Sequence, residues 1–237
     1  MEEPQRPTKV EIKKKFAFVL TPKTATKIFR LCEEFDPNPV ITWKFSDDIV
    51  QEVASLRDFL DLENPKNCHL VSVRFSARAP DFSSYIEVNF ETEFLHSIKV
   101  DVSGQNDKVR SARGDANELL MGCKAWYSPI ARLQMFYLAI LTAGIFIFVG
   151  FDIARKISGG QSEEFTATSA VVYIGIIVAI YLGAFVIGLL KGKVFPAAEF
   201  RIGQGDERAW FREKIQWAVV VGFIVSVMGS FAHSLFW

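Results

Sequence analysis

The side chains that most often carry chemistry are few and scattered in this sequence. Its three histidines, His69, His96 and His233, stand far apart. His69 follows Cys68 directly, and two adjacent ligands need partners from elsewhere in the chain to close a tetrahedral metal site. Neither His69 nor His96 has a Cys, Asp or Glu at a ligand spacing that recurs. Carboxylate pairs occur at Glu33-Glu34, Asp47-Asp48 and Glu163-Glu164, a residue type suited to general acid–base work. Each pair fits a plainer role: an exposed helix face, a helix first turn, and the edge of an apolar segment. The GxSxG, HExxH and GxxxxGKS/T patterns do not occur. Gly203-Gln204-Gly205 lacks the flanking strand and helix of a phosphate cradle and reads as a turn. No catalytic, metal or cofactor site is assigned, and no cofactor is expected.

The elements that would position chemistry are segregated instead. Of 237 residues, 27 are basic and 27 acidic, so no overall basic field points to nucleic acid. Residues 1–128 hold 18 Lys/Arg and 20 Asp/Glu, leaving 9 and 7 for residues 129–237. Three uncharged stretches fill the second part: Leu133 to Phe151, Phe165 to Leu190, and Ile215 to Trp237. A bilayer's hydrocarbon takes roughly 20 helical residues to cross. The expectation is therefore a membrane domain over 129–237, with spans near 133–151, 166–190 and 215–237 and a loop over 191–214. The opening residues show no apolar signal-peptide core, so the first span serves as an internal anchor. The 191–214 loop carries six Lys/Arg against two, Arg155 and Lys156, between the first two spans. By the positive-inside rule the N-terminus and that loop are cytosolic and the C-terminus lies outside, in a membrane read as the bacterial inner membrane. Three cysteines, Cys32, Cys68 and Cys123, fall in the cytosolic part without CxxC spacing, which suits free thiols in a reducing compartment.

Residues 1–128 read as a cytosolic α+β domain, β-α-β-α-β-β-β-α, mostly antiparallel sheet with three helices. Phe16 to Leu20 suits a central strand, and Pro22 opens a helix with its apolar face at Ile28, Leu31, Cys32 and Phe35. Ile41, Trp43 and Phe45 alternate as a strand. Ser46 is read as the cap of a second helix burying Ile49, Val53, Leu56 and Leu60. Three alternating strands follow at Val71/Val73/Phe75, Ile86/Val88/Phe90 and Ile98/Val100/Val102, joined by turns at Ala79-Pro80-Asp81 and Glu93 to Ser97. Asp107 is read as the cap of a long helix through Val109, Ala112, Ala116, Leu119, Leu120, Cys123 and Tyr127. The Lys13-Lys14-Lys15 run could touch anionic lipid or a nucleic-acid backbone, or simply form a solvated edge.

Three features carry candidate function. Trp126, Tyr127 and Pro129 stand at the membrane-interface junction, where Trp and Tyr favour headgroup depth and Pro129 kinks the entering helix. Gly175, Ala179 and Gly183 recur every four residues in the second apolar stretch, as do Ala218, Gly222, Ser226 and Ser230 in the third. Such rows of small residues let helices approach closely, either between copies in a homo-oligomer or within one chain. The segment from Val194 to Ile202, followed by Trp210 and Phe211, is too aromatic for a plain linker. It either docks on the N-terminal domain or lies at the membrane surface, coupling the two halves.

A cytosolic α+β domain followed by C-terminal spans and no catalytic motif resembles, in layout, the small transmembrane effector proteins of bacterial antiviral defence, of the retron and cyclic-oligonucleotide types. The resemblance covers the whole chain and rests on no motif, so no residue roles are carried over. It implies a protein held silent until a cytosolic partner or ligand releases it, after which its spans cluster and impair the membrane. The partners expected are the lipid bilayer, a cytosolic protein or nucleic-acid-containing complex, and further copies of the chain. The alternative is a membrane anchor or scaffold subunit that recruits such a complex, and a membrane enzyme is the more distant third.

Overall fold

A computed structural model describes residues 7–92, 97–133, 140, 144 and 167–236. The chain forms two compact units, one of residues 1–131 with 195–237 and one of residues 132–194. In the first unit, strands β1 (Thr8–Lys14), β3 (Val40–Phe45), β4 (Val50–Val53), β5 (Leu70–Arg78), β6 (Tyr85–Glu91) and β7 (Ile98–Gly104) build a six-stranded antiparallel sheet. Its strand order is β1-β7-β6-β5-β3-β4. The period-2 pattern sets the faces: Ile41, Trp43, Val73, Phe75, Ile86, Val88, Phe90, Ile98, Val100 and Val102 are all buried. The alternate positions carry Lys13, Arg74, Glu87, Lys99 and Asp101, which form a polar, partly exposed face laced by ion pairs.

Helices α1 (Pro22–Glu33), α2 (Leu56–Leu60) and α3 (Asn106–Gly122) accompany the sheet, with α1 and α3 packed on it. Thr21 caps α1 by accepting from the Thr24 N–H at 3.2 Å, and Pro22 takes the first helical position, where its missing donor costs nothing. Ile28, Leu31 and Cys32 on α1, with Phe35 just beyond it, are buried as their spacing requires. The N-cap of α3 is Gln105, and Asp107 lies in the first turn, where its charge complements the helix dipole.

The segment after β3 departs from the expected helix. The Phe45 N–H donates to the Ile49 carbonyl at 2.9 Å, Asp48 takes φ 66°, and the chain returns as β4. Ile49 and Val50 are half exposed, so their helical spacing to Val53 and Leu56 does not mark a buried face. The short α2 that follows is capped by Ser55. No strand is expected over residues 8–14, yet β1 pairs there with β7, Val10 opposite Val102 and Ile12 opposite Val100.

The largest correction concerns the membrane part. Three C-terminal transmembrane helices were expected, and among the described residues one helix is long and apolar enough to cross a membrane. The stretch near 133–151 lies almost wholly outside the described residues, as do the following loop with Arg155 and Lys156, the Glu163-Glu164 pair, His96 and most of the Glu93 to Ser97 turn. After the short α4 (Ser128–Arg132), helix α5 (Ala167–Val194) carries most of the second stretch, and its side chains are described only from Val178. The third stretch belongs to α6 (Gln204–Phe236), which starts eleven residues before the charge-free run rather than at Ile215. Along its apolar stretch only 6 % is buried, so α6 is not the core helix of this unit. The expected loop over 191–214 is correspondingly replaced by the end of α5, a strand β8 (Ala198–Phe200) and the first three turns of α6.

Candidate functional site

The fold's most specific construction lies where the chain returns to the sheet domain. Strand β2 (Phe18–Leu20) pairs in parallel with β8, in the register Phe18↔Ala198, Val19↔Glu199 and Leu20↔Phe200. Its Phe18 N–H donates to the Ala197 carbonyl at 3.1 Å, and Arg201 N–H donates to the Leu20 carbonyl at 2.9 Å. The other edge of β2 is held by the segment leaving α3: Val19 N–H donates to Cys123 O, Ala125 N–H to Ala17 O, and Ala17 N–H to Ser128 Oγ at 3.0 Å. Residues from three distant parts of the chain therefore share one backbone ladder. Phe18 and Phe200 meet edge to face at 5.6 Å, and the contact continues through Phe90, Phe75 and Phe59 to Trp43 at centroid spacings of 5.3 to 6.3 Å. That aromatic row joins β8 to the β3–β4 hairpin across the core.

Asn64 locks the start of α6 onto the domain. It is buried, takes φ 46°, accepts from the Leu70 N–H at 3.0 Å, and donates to the carbonyls of Ile202 at 3.1 Å and Phe200 at 3.4 Å. Gly203 follows in the left-handed region at φ 53°, and a Cβ there would stand 2.1 Å from the Leu62 carbonyl oxygen. At Gly205 a Cβ would stand 2.1 Å from the Phe200 carbonyl oxygen. Only glycine permits this approach, and Gln204 N–H uses it to donate to Glu63 O at 2.8 Å. The Gly-Gln-Gly turn does have a flanking strand, β8, and a helix, α6, contrary to the sequence expectation, and it seats α6 against residues 62–64.

A polar pair reinforces the joint. Tyr127 is buried and its hydroxyl donates to Glu199 Oε2 at 3.1 Å; Arg212 on α6 faces Glu199 Oε1 at 3.3 Å. Burial first, and the Glu199 charge second, raise the Tyr127 hydroxyl above the usual phenol range. Arg201 reaches Glu213 at 3.4 Å. Above them Trp126 stacks on Trp217 of α6 at 5.7 Å and 21°, with Phe195 edge-on at 6.4 Å.

The junction residues are therefore brought together with the return segment: Trp126 half exposed, Tyr127 buried, and Pro129 in α4. The small-residue rows are placed differently. Ala218, Gly222, Ser226 and Ser230 lie on the exposed part of α6, where Ser226 Oγ donates back to Gly222 O at 2.8 Å. Ala179 and Gly183 lie on the exposed part of α5, and Gly175 belongs to the same helix. Among the described residues no heavy atom comes within 4 Å of a Cβ placed at Gly183 or Gly222. No group of three or more His, Cys, Asp or Glu is placed to hold a metal among the described residues.

No family model, curated protein or solved structure matches the chain. Asn64, Glu199 and Gly203, which make the joint, were not singled out for it in the sequence. A parallel pairing between residues about 180 apart leaves no local pattern, and the only traces are Gly-x-Gly and the apolar mix of Val194 to Ile202.

Proposed function

We propose that this chain is a non-enzymatic, membrane-attached effector in which the sheet domain receives a cytosolic partner or ligand and α6 carries the consequence to the bilayer. One observation supports this reading above the others. The base of the helix that can cross a membrane is built into the sheet domain through β8, Asn64 and Gly203. A change of the domain therefore moves α6 as well, because packed joints shift between discrete arrangements rather than stretch. In this reading the exposed small-residue row of α6 is where copies associate, the N-terminal domain faces the cytosol of a bacterium, and the setting is the antiviral defence that the layout suggests.

Induced expression with a membrane-potential dye tests it. Depolarisation is expected for the wild-type chain and its loss for Gly203→Ala, with both proteins in the membrane fraction. Unchanged potential and growth at high expression would count against the effector. The anchor or scaffold reading would then stand, and the open charged sheet face around Glu11, Arg74, Glu87, Lys99 and Asp101 is the surface that favours it.

A further inference from the structure

Beside the joint lies a cavity of about 340 Å³, lined by Asn64, Lys66 and His69 from the sheet domain and by Glu199, Arg208 and Arg212 from the return segment. Three of these side chains are lasting cations and one is an anion. Glu199 accepts from Tyr127 on one oxygen, while its Oε1 faces Arg212 at 3.3 Å and has no hydrogen-bond partner among the described residues. Lys66 and Arg208 are left without a counter-charge in the lining. Arg208 is the sharper case, because its Nη1 is buried and has no hydrogen-bond partner among the described residues. Buried donors in folded proteins are nearly always satisfied, so a buried Nη1 without an acceptor on a half-buried arginine carries a cost. Burial, and then Arg212, lower its guanidinium from the ordinary arginine range.

We propose that this cavity binds the phosphate of an anionic ligand, with Arg208 supplying a fork of donors and Lys66 a point charge, and that the ligand is the headgroup of an anionic phospholipid. Guanidinium groups match phosphate oxygens in pairs, and an ammonium adds charge without fixing direction. The volume lies near the lower end of the ligand-pocket range of about 300–1,000 Å³, enough for a phosphate and a small headgroup with the acyl chains outside. Position along α6 selects the lipid source. Arg208 and Arg212 are one turn apart, and the charge-free run begins at Ile215, about 5 Å beyond Arg212 and 10 Å beyond Arg208 along the axis. The headgroup layer is about 5–8 Å deep on each side, so Arg212 falls within it and Arg208 just beyond it when α6 enters a bilayer. Trp210, Phe211 and Trp217 are exposed around the same level, where aromatic side chains favour the interface. Basic pockets at this depth are a recognised way to hold acidic headgroups. The phosphate site stands on the cavity alone; the lipid source rests on the membrane reading above.

The test uses the full chain in a neutral detergent, with thermal unfolding followed as short-chain phosphatidylglycerol, short-chain phosphatidylcholine or glycerol 3-phosphate is added. Saturable stabilisation by phosphatidylglycerol, about tenfold tighter than by phosphatidylcholine, is expected. Arg208→Gln and Lys66→Gln should each weaken it about tenfold, while Arg208→Lys retains part of it and Arg57→Gln, an exposed control, retains all. Lys66 is exposed, so its variant keeps the test open even where Arg208→Gln unfolds. Glycerol 3-phosphate binding as tightly as the lipid supports the phosphate site and overturns the lipid source. Equal response to both lipids, or wild-type binding by both Gln variants, overturns the proposal. Release of the full chain from membranes by alkaline carbonate, with phosphatidylglycerol binding intact, sinks the membrane reading and leaves the phosphate site standing.

Discussion

The Tyr127 hydroxyl donates to Glu199 Oε2 at 3.1 Å, joining residues 72 apart in sequence at a place where both side chains are buried. A buried carboxylate that loses a donor keeps its desolvation cost, so Tyr127→Phe should destabilise the full chain by about 1–3 kcal/mol. Removing both partners, Tyr127→Phe with Glu199→Gln, should cost less than the sum of the singles, since the charge goes with the donor. A thermodynamic cycle on the four proteins measures the coupling, and additivity within about 0.5 kcal/mol would mean the contact contributes nothing.

Gly203→Ala should be the most damaging single-methyl change in the chain. The added Cβ meets the Leu62 carbonyl oxygen at 2.1 Å and the backbone is already left-handed, so strain of about 3 kcal/mol or more is expected. Gly114→Ala is the opposite case. That glycine is exposed within α3 with no heavy atom within 4 Å of a Cβ among the described residues, and the change should stabilise by about 1 kcal/mol. Melting temperatures that move in opposite directions bear this out; equal shifts refute it.

Asn64 separates backbone from side-chain effects. Asn64→Gly tolerates φ 46° but deletes the bonds to Leu70, Phe200 and Ile202, whereas Asn64→Ala adds strain to the same loss. Both should expose the amides of β8 to hydrogen exchange by about 2 kcal/mol or more, with Ala the worse. Protection of Arg201 N–H, which donates to Leu20, is the specific reporter. Unchanged exchange there would show that β8 is held without the clamp.

What could be read in advance follows from how local each signal is. Thr21-Pro22 and the Ile28/Leu31/Cys32/Phe35 spacing declare α1 because capping and periodicity are short-range. The alternation of β5, β6 and β7 declares a sheet with one wet face for the same reason. The stretch from Ser46 misled because Ile49, Val53 and Leu56 also fit a helical face; the Asp48 turn and the exposure of Val50 decide for a hairpin. Charge-free length suggested three spans, but length says nothing of where a helix begins. The start of α6 at Gln204 depends on Asn64 and Glu63, residues about 140 positions earlier. Trp126 and Tyr127 were legible as junction residues. Their partners, Trp217 and Glu199, were not, because pairing across the fold is decided by packing and not by spacing.

Stability should decline as pH rises above about 9. Burial pushes the Cys32 and Cys123 thiols up to about 12 from the ordinary 9.0, with the charge of Glu33 adding to the shift at Cys32. Between those limits the unfolded chain releases both thiol protons while the folded chain keeps them. The unfolded state then binds fewer protons, so the unfolding free energy falls with pH, by about 1.4 kcal/mol per pH unit for each fully titrating group. Below pH 9 this contribution is present in full. Tyr127, raised from 10.0, adds to the decline only above about pH 10. Thermal unfolding of the full chain between pH 8 and pH 10 should show the slope. A Cys32→Ala, Cys123→Ala double variant, less stable throughout because of the cavities left in the core, should lose most of the slope over the same interval, the remainder coming from Cys68, raised by its hydrogen bond with Asp47. If its slope equals that of the wild type, the buried thiols are not the cause.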